Sequence, residues 1–146
     1  LILETLVAPV ITADAWGEQL CLLLPALWSP QKAFEAFTNY ANNQRTKLLD
    51  KKDGRPAKYA AAYIRVLYNL CELLKAGSFH IRIAETSAGE RLSRIKKGKY
   101  RLGEVMDWGE ELTQQAQQLI AACRDESDLP RINDFLVAIR RASLTP

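Results

Sequence analysis

Histidine occurs once in these 146 residues, at His80, and methionine once, at Met106. With a single imidazole, a nucleophile-and-histidine site has only one residue to be built around, and the FHIRI setting of His80 reads as structural. The three cysteines, Cys21, Cys71 and Cys123, are odd in number, far apart and without a CxxC pair. They fit neither a zinc site nor a disulfide framework. Each lies among leucines or alanines in a helical pattern and reads as a small core residue in a reducing compartment. Glycine and proline are scarce, seven and six, and β-branched runs are few, which disfavours sheet. No stretch reaches the roughly 18 uncharged apolar residues needed to cross a bilayer, and no signal peptide is in view. A soluble, cytoplasmic protein that does not engage a membrane is the expectation.

Phosphate cradles are missing too. The chain has no GxxxxGK[ST] loop and no GxGxxG turn, the two glycine-rich devices that wrap a phosphate in backbone N–H groups. Carboxylates are plentiful, yet none falls in the DxD or ExE spacing that sets two acids on one side of a strand to hold magnesium. Asp50 and Asp53 come nearest, inside a lysine-rich loop. Glu110 with Glu111, and Asp125 with Glu126, are adjacent on helical patterns and diverge. The chain thus offers no catalytic residues and no metal ligands of its own.

What is present is helix. Alanine, leucine, glutamate, glutamine, lysine and arginine dominate a single domain over residues 1–146. The expected fold is all-α, a bundle of about five to seven helices with at most one short extended segment near residues 79–84. Leu1 to Val7 reads as the tail of a helix stopped near Pro9, and Thr12 or Asp14 caps a second carrying Trp16, Leu20, Leu23 and Leu24, which Pro25 interrupts. Ser29 followed by Pro30 is an N-cap and first-turn signal for a helix reaching about Leu49. Its buried side would hold Ala33, Phe34, Phe37, Tyr40, Ala41 and Leu48. The charged DKKDGRP stretch from Asp50 to Pro56 reads as an exposed connection.

From about Ala57 to Ala76, apolar residues recur every three or four positions at Ala60, Tyr63, Ile64, Leu67, Leu70, Cys71 and Leu74, and Gly77 ends the helix. Lys58, Arg65, Asn69 and Glu72 fall on the opposite face, the candidate working face. Phe79 to Ala84 alternates polar with apolar. Ser87 and Glu90 have capping-box spacing for a short helix, about Ala88 to Lys97, anchored by Leu92 and Ile95 and closed by Gly98. A long amphipathic helix follows from Leu102 to about Glu126, with Val105, Met106, Trp108, Leu112, Ala116, Leu119, Ile120 and Cys123 near one stripe. Ser127 or Asp128 caps a last helix whose apolar side is Ile132, Phe135, Leu136 and Ile139.

The net charge of +3 is too mild to demand nucleic acid. Its local concentration is more informative. Basic residues gather between Arg45 and Arg55, and again where Arg91, Arg94, Lys96, Lys97, Lys99 and Arg101 meet only Glu90. Arginine there, or at Arg65, can bind a triphosphate or a nucleic-acid backbone through paired N–H donors. A salt bridge from Arg65 to Glu72 or to another helix is the structural alternative.

The order KYAAAYIRVLYNLCELLKAG, then RLSRIKKGKYRLGEVMDWGEEL, preceded by LILETLVAP and WGEQLCLLLPALWSPQKAFEAFTNYANNQ, resembles the helical C-terminal region of predicted nucleotidyltransferases of the DNA polymerase β superfamily, a group with an RNA-repair-associated branch. The resemblance implies an upstream catalytic α/β domain with a Gly-Ser turn and a magnesium-binding Asp-x-Asp pair. This chain would be its accessory domain, closing one side of the cleft and helping bind nucleoside triphosphate or an RNA or DNA acceptor. The chain opens on Leu1 within an apolar pattern and reads as a piece of something longer. On that resemblance Lys58, Arg65, Arg94, Lys96 and Lys97 face the cleft as substrate-binding residues. The alternative is a stand-alone helical module that binds nucleic acid or protein. The small helical RNases found beside minimal nucleotidyltransferases need an arginine shortly before a histidine; here Leu73, Leu74 and Lys75 stand in those positions before His80, and that reading fails.

Overall fold

The structure is a computed structural model that describes residues 2–8, 14–50, 52, 54–123 and 126–144. Pro9, Thr12, Asp53 and Asp125, invoked above, lie outside the described residues. The fold is all-helical: α1 (Ile2–Val7), α2 (Ala15–Leu22), α3 (Pro30–Leu49), α4 (Pro56–Ala76), α5 (Gly89–Lys96), α6 (Leu102–Ala122) and α7 (Leu129–Leu144), with 3₁₀ turns at Leu24–Ala26 and Ile83–Glu85. Among the described residues there is no strand, and no helix is long and apolar enough to cross a membrane.

The bundle is organised around α4. Ala60, Ile64, Leu67 and Leu70 have essentially no solvent contact, and Tyr59, Tyr63, Cys71, Leu73 and Leu74 are buried as well. A helix buried on more than one face needs neighbours on each, and α3, α6 and α5 supply them. Pro56 in the first turn starts α4 without a side-chain cap, and Gly77 ends it at φ 66°, a left-handed conformation that glycine adopts without steric cost.

Two thiol hydrogen bonds tie α4 to α6. Cys71 Sγ donates to the Leu112 carbonyl at 3.3 Å, and Cys123 Sγ donates to the Leu74 carbonyl at 3.8 Å. Toward the N-terminal side of both bonds the Tyr63 ring lies directly on the backbone of α6 at Gly109, in the space a Cβ would fill. Cys71 is a core residue as expected, whereas Cys21 and Cys123 are only half-buried.

A second, looser layer contains α2 and α7. Asp14 caps α2 by accepting from the Gly17 N–H at 2.8 Å, and Pro25 turns the chain into a 3₁₀ turn, as the sequence suggests. Asp128 accepts from the Arg131 N–H at 3.0 Å at the start of α7 while its own N–H donates to the Ala26 carbonyl at 3.0 Å. Trp16 and Phe135 meet edge to face, ring centroids 6.2 Å apart. No residue of α7 is fully buried, and Leu136, expected on its packed side, is exposed.

Several local expectations change. Ser29 makes no side-chain cap bond, so Pro30 alone marks the start of α3. Tyr40, expected in the core, is 49% exposed. The Ser87–Glu90 capping box is not formed: α5 begins at Gly89 after Ala88, and the Ser87 hydroxyl instead lies 3.3 Å from the Tyr68 hydroxyl. At α6 only the reverse half of such a box forms, with Glu104 accepting from the Arg101 N–H at 3.5 Å. Helix α6 stops at Ala122, before Glu126.

Candidate anion-binding groove

The segment from Ser78 to Arg82 is an extended strap crossing α4, and three of the four polar residues singled out on that helix hold it. Asn69, 2% exposed, makes a two-point clamp on His80: its Nδ2 donates to the His80 carbonyl at 3.1 Å and its Oδ1 accepts from the His80 N–H at 2.9 Å. A side-chain amide thereby does for the strap what a neighbouring strand does in a sheet, satisfying both backbone groups. Glu72 lies 3.5 Å from His80 Nε2. Arg65 Nη2 donates to the Ile81 carbonyl at 3.4 Å, a long bond. Asn69 therefore belongs to the interior and not to a solvent-facing working surface.

Pinning the strap creates a groove of about 690 Å³ between it, α4 and α5. Its floor is apolar, from Ala61, Ala62, Ile83 and Leu92, and its rim carries Lys58, Arg65, Arg82 and Lys96. All four are exposed. One carboxylate, Glu85, opposes them, 3.6 Å from Arg82 Nη1. Four cations against one acid, over a floor of alanine, isoleucine and leucine with Ser93 beside it, make a surface that favours a multiply charged anion.

The geometry follows from chain connectivity. Lys58 and Arg65 are seven residues apart, two turns of α4, and so share a face. Gly89, in the first turn of α5, sits so close to Ala84 that any Cβ would strike the Ala84 carbonyl, which lets α5 start against the strap. That start has no side-chain cap; its first N–H donates to the Thr86 carbonyl at 3.0 Å, and Glu90 stands in the first turn, so the groove's positive charge comes from its side chains. Lys96 lies on the same side of α5 as Gly89 and Leu92, at helical spacing.

Arg94 and Lys97 do not line the groove. Helical rotation carries Arg94 to the α6 side of α5, where with Glu104, Tyr100 and Trp108 it borders a crevice of only about 50 Å³. Arg91 is stacked over the Trp108 ring, 4.0 Å from its centroid, so the basic run of α5 divides between two faces. Arg82 escaped notice in the sequence because it stood in an alternating FHIRIA pattern; the one available signal was a lone cation in an otherwise apolar strap.

No family model, no curated protein and no solved structure matches this chain. Among the described residues no group of three His, Cys, Asp or Glu side chains converges as a metal site would require.

Proposed function

We propose that this domain is the accessory helical half of a nucleotidyltransferase, its groove neutralising the phosphates of a nucleoside triphosphate or of an acceptor strand. The observation that carries the reading is the convergence of Lys58, Arg65, Arg82 and Lys96 on one groove, with Glu85 the only opposing acid among the described residues. Arginine supplies paired donors suited to phosphate oxygens, and lysine adds mobile point charge. The ordered resemblance described above supplies the reaction class, with the magnesium-binding acids belonging to the catalytic domain it implies. A stand-alone module is the second reading, favoured by exposed leucines at Leu20, Leu22, Leu129 and Leu136 on the α2 and α7 layer, which suit a covering protein surface.

The test is binding of the 146-residue chain to inorganic tripolyphosphate by calorimetry, in the wild type and in variants. Lys58→Ala and Lys96→Ala should each weaken binding about threefold to tenfold and flatten its salt dependence. Arg94→Ala and Lys97→Ala, whose side chains lie outside the groove, should leave it within about twofold. Equal losses for all four substitutions would mean that diffuse charge and not the groove is responsible, and undetectable binding in the wild type would remove the reading.

A further inference from the structure

Beside the cationic groove, on the other flank of Arg65, is a slot of about 450 Å³ between α3 and α4. Ala62 and Arg65 line both. The slot is walled by Phe37, Tyr40 and Phe79 with Val66 behind them, and the Phe37 and Phe79 rings meet at 71°, centroids 6.1 Å apart. Tyr40 stands at the mouth, 49% exposed. Glu4 also borders the slot.

A concave aromatic pocket sharing a guanidinium with a four-cation groove suits one kind of ligand: a flat aromatic group joined by a short spacer to phosphate. We propose that the slot seats the base of a nucleotide unit while its phosphate lies in the groove, Arg65 standing between the two. The inference rests on the phosphate-binding reading of the groove and adds the base and the residues that hold it. Three observations support the assignment. The aromatic side chains are clustered and partly accessible and are not dispersed through the core. The Arg65 side chain is kept at the boundary by its bond to the Ile81 carbonyl. Asn69 spends its amide on His80, and apart from Arg65 and the Glu4 carboxylate at its border the slot is lined by aromatic and aliphatic groups, which favours stacking over edge-specific readout. The slot therefore takes bases with little discrimination among them.

The same unit exists as a free nucleotide and as a residue of a single strand, and binding of the 146-residue chain separates the two. Three probes are compared: inorganic tripolyphosphate, adenosine triphosphate and a single-stranded oligoadenylate. Adenosine triphosphate or the oligonucleotide should bind about tenfold tighter than tripolyphosphate. Tyr40→Ala should erase that advantage while leaving tripolyphosphate binding unchanged, and Tyr40→Phe should preserve it; helical circular dichroism checks that both variants fold. A gain confined to the oligonucleotide assigns the unit to a strand, and a gain for the free nucleotide assigns it to a small molecule. Equal affinity for all three probes, insensitive to Tyr40→Ala, overturns the slot and leaves the groove standing. No binding of any probe overturns both.

Discussion

At Gly109 the packing of α4 on α6 leaves no room for a Cβ. A glycine inside a helix costs about 1 kcal/mol relative to alanine, and α6 tolerates it because the Tyr63 ring occupies the volume of the absent Cβ. Tyr63 is buried, and its hydroxyl is hydrogen-bonded to Thr113, which also donates to the Gly109 carbonyl at 2.8 Å. Gly109→Ala is therefore expected to destabilise the fold by about 1–3 kcal/mol despite the better helix propensity of alanine, read as a lower urea midpoint at unchanged m-value. A stabilised variant would show that the ring moves aside without cost. Nothing local in MDWGEEL distinguishes this glycine from a neutral one; its necessity arises from a tyrosine 46 positions away and cannot be read from periodicity. Tyr40 shows the converse: its spacing matches the buried stripe of α3, yet it is half exposed where it borders the slot with Phe79 and Val66.

Among the elements, α4 was the most legible and the strap the least. Proline at one end, glycine at the other and apolar spacing throughout fixed both the limits of α4 and its seven named core residues, because those signals act within a turn or two. The strap is held instead by Asn69 and Arg65, 11 and 16 residues from their partners, so its alternating sequence suggested a strand without showing what would pair with it. The polar face of α4 is separated from its apolar one by spacing except at Asn69, which the strap buries, and the strap as its occupant is not visible in the spacing. Removing the clamp with Asn69→Ala leaves the His80 N–H and carbonyl without their partners, at about 1–3 kcal/mol. Hydrogen exchange should then accelerate across residues 79–83 while the central amides of α4 keep their relative protection. Because Arg82 rides on the strap, tripolyphosphate affinity should fall in the same variant, a consequence that Glu72→Gln, which keeps the clamp, should produce far more weakly.

At the scale of the whole molecule, the titrating groups packed among α4, α5 and α6 are neutral ones that burial keeps protonated. Burial pushes the Cys71 thiol from near 9 up to about 11, with Glu72 adding to the rise. Burial raises the Tyr63 phenol as well, reinforced by Glu110 and opposed by Arg45 and the Thr113 bond, and burial raises the Tyr100 phenol. In each case the native state holds its proton more tightly than the unfolded chain. Stability from these groups is then complete below the unfolded values and is lost as pH climbs through the native ones. For Cys71 the loss falls between about pH 9 and 11 and is on the order of 2 kcal/mol, with the tyrosines extending it upward. Urea midpoints should accordingly be flat in these groups near neutrality and fall steeply above pH 9. Cys71→Ala, though less stable throughout for its lost packing and its lost bond to Leu112, should show a shallower alkaline decline, because the group that must ionise is gone. Parallel declines in the two proteins would mean that the thiol does not ionise on unfolding in this range and that the phenols alone set the alkaline limit.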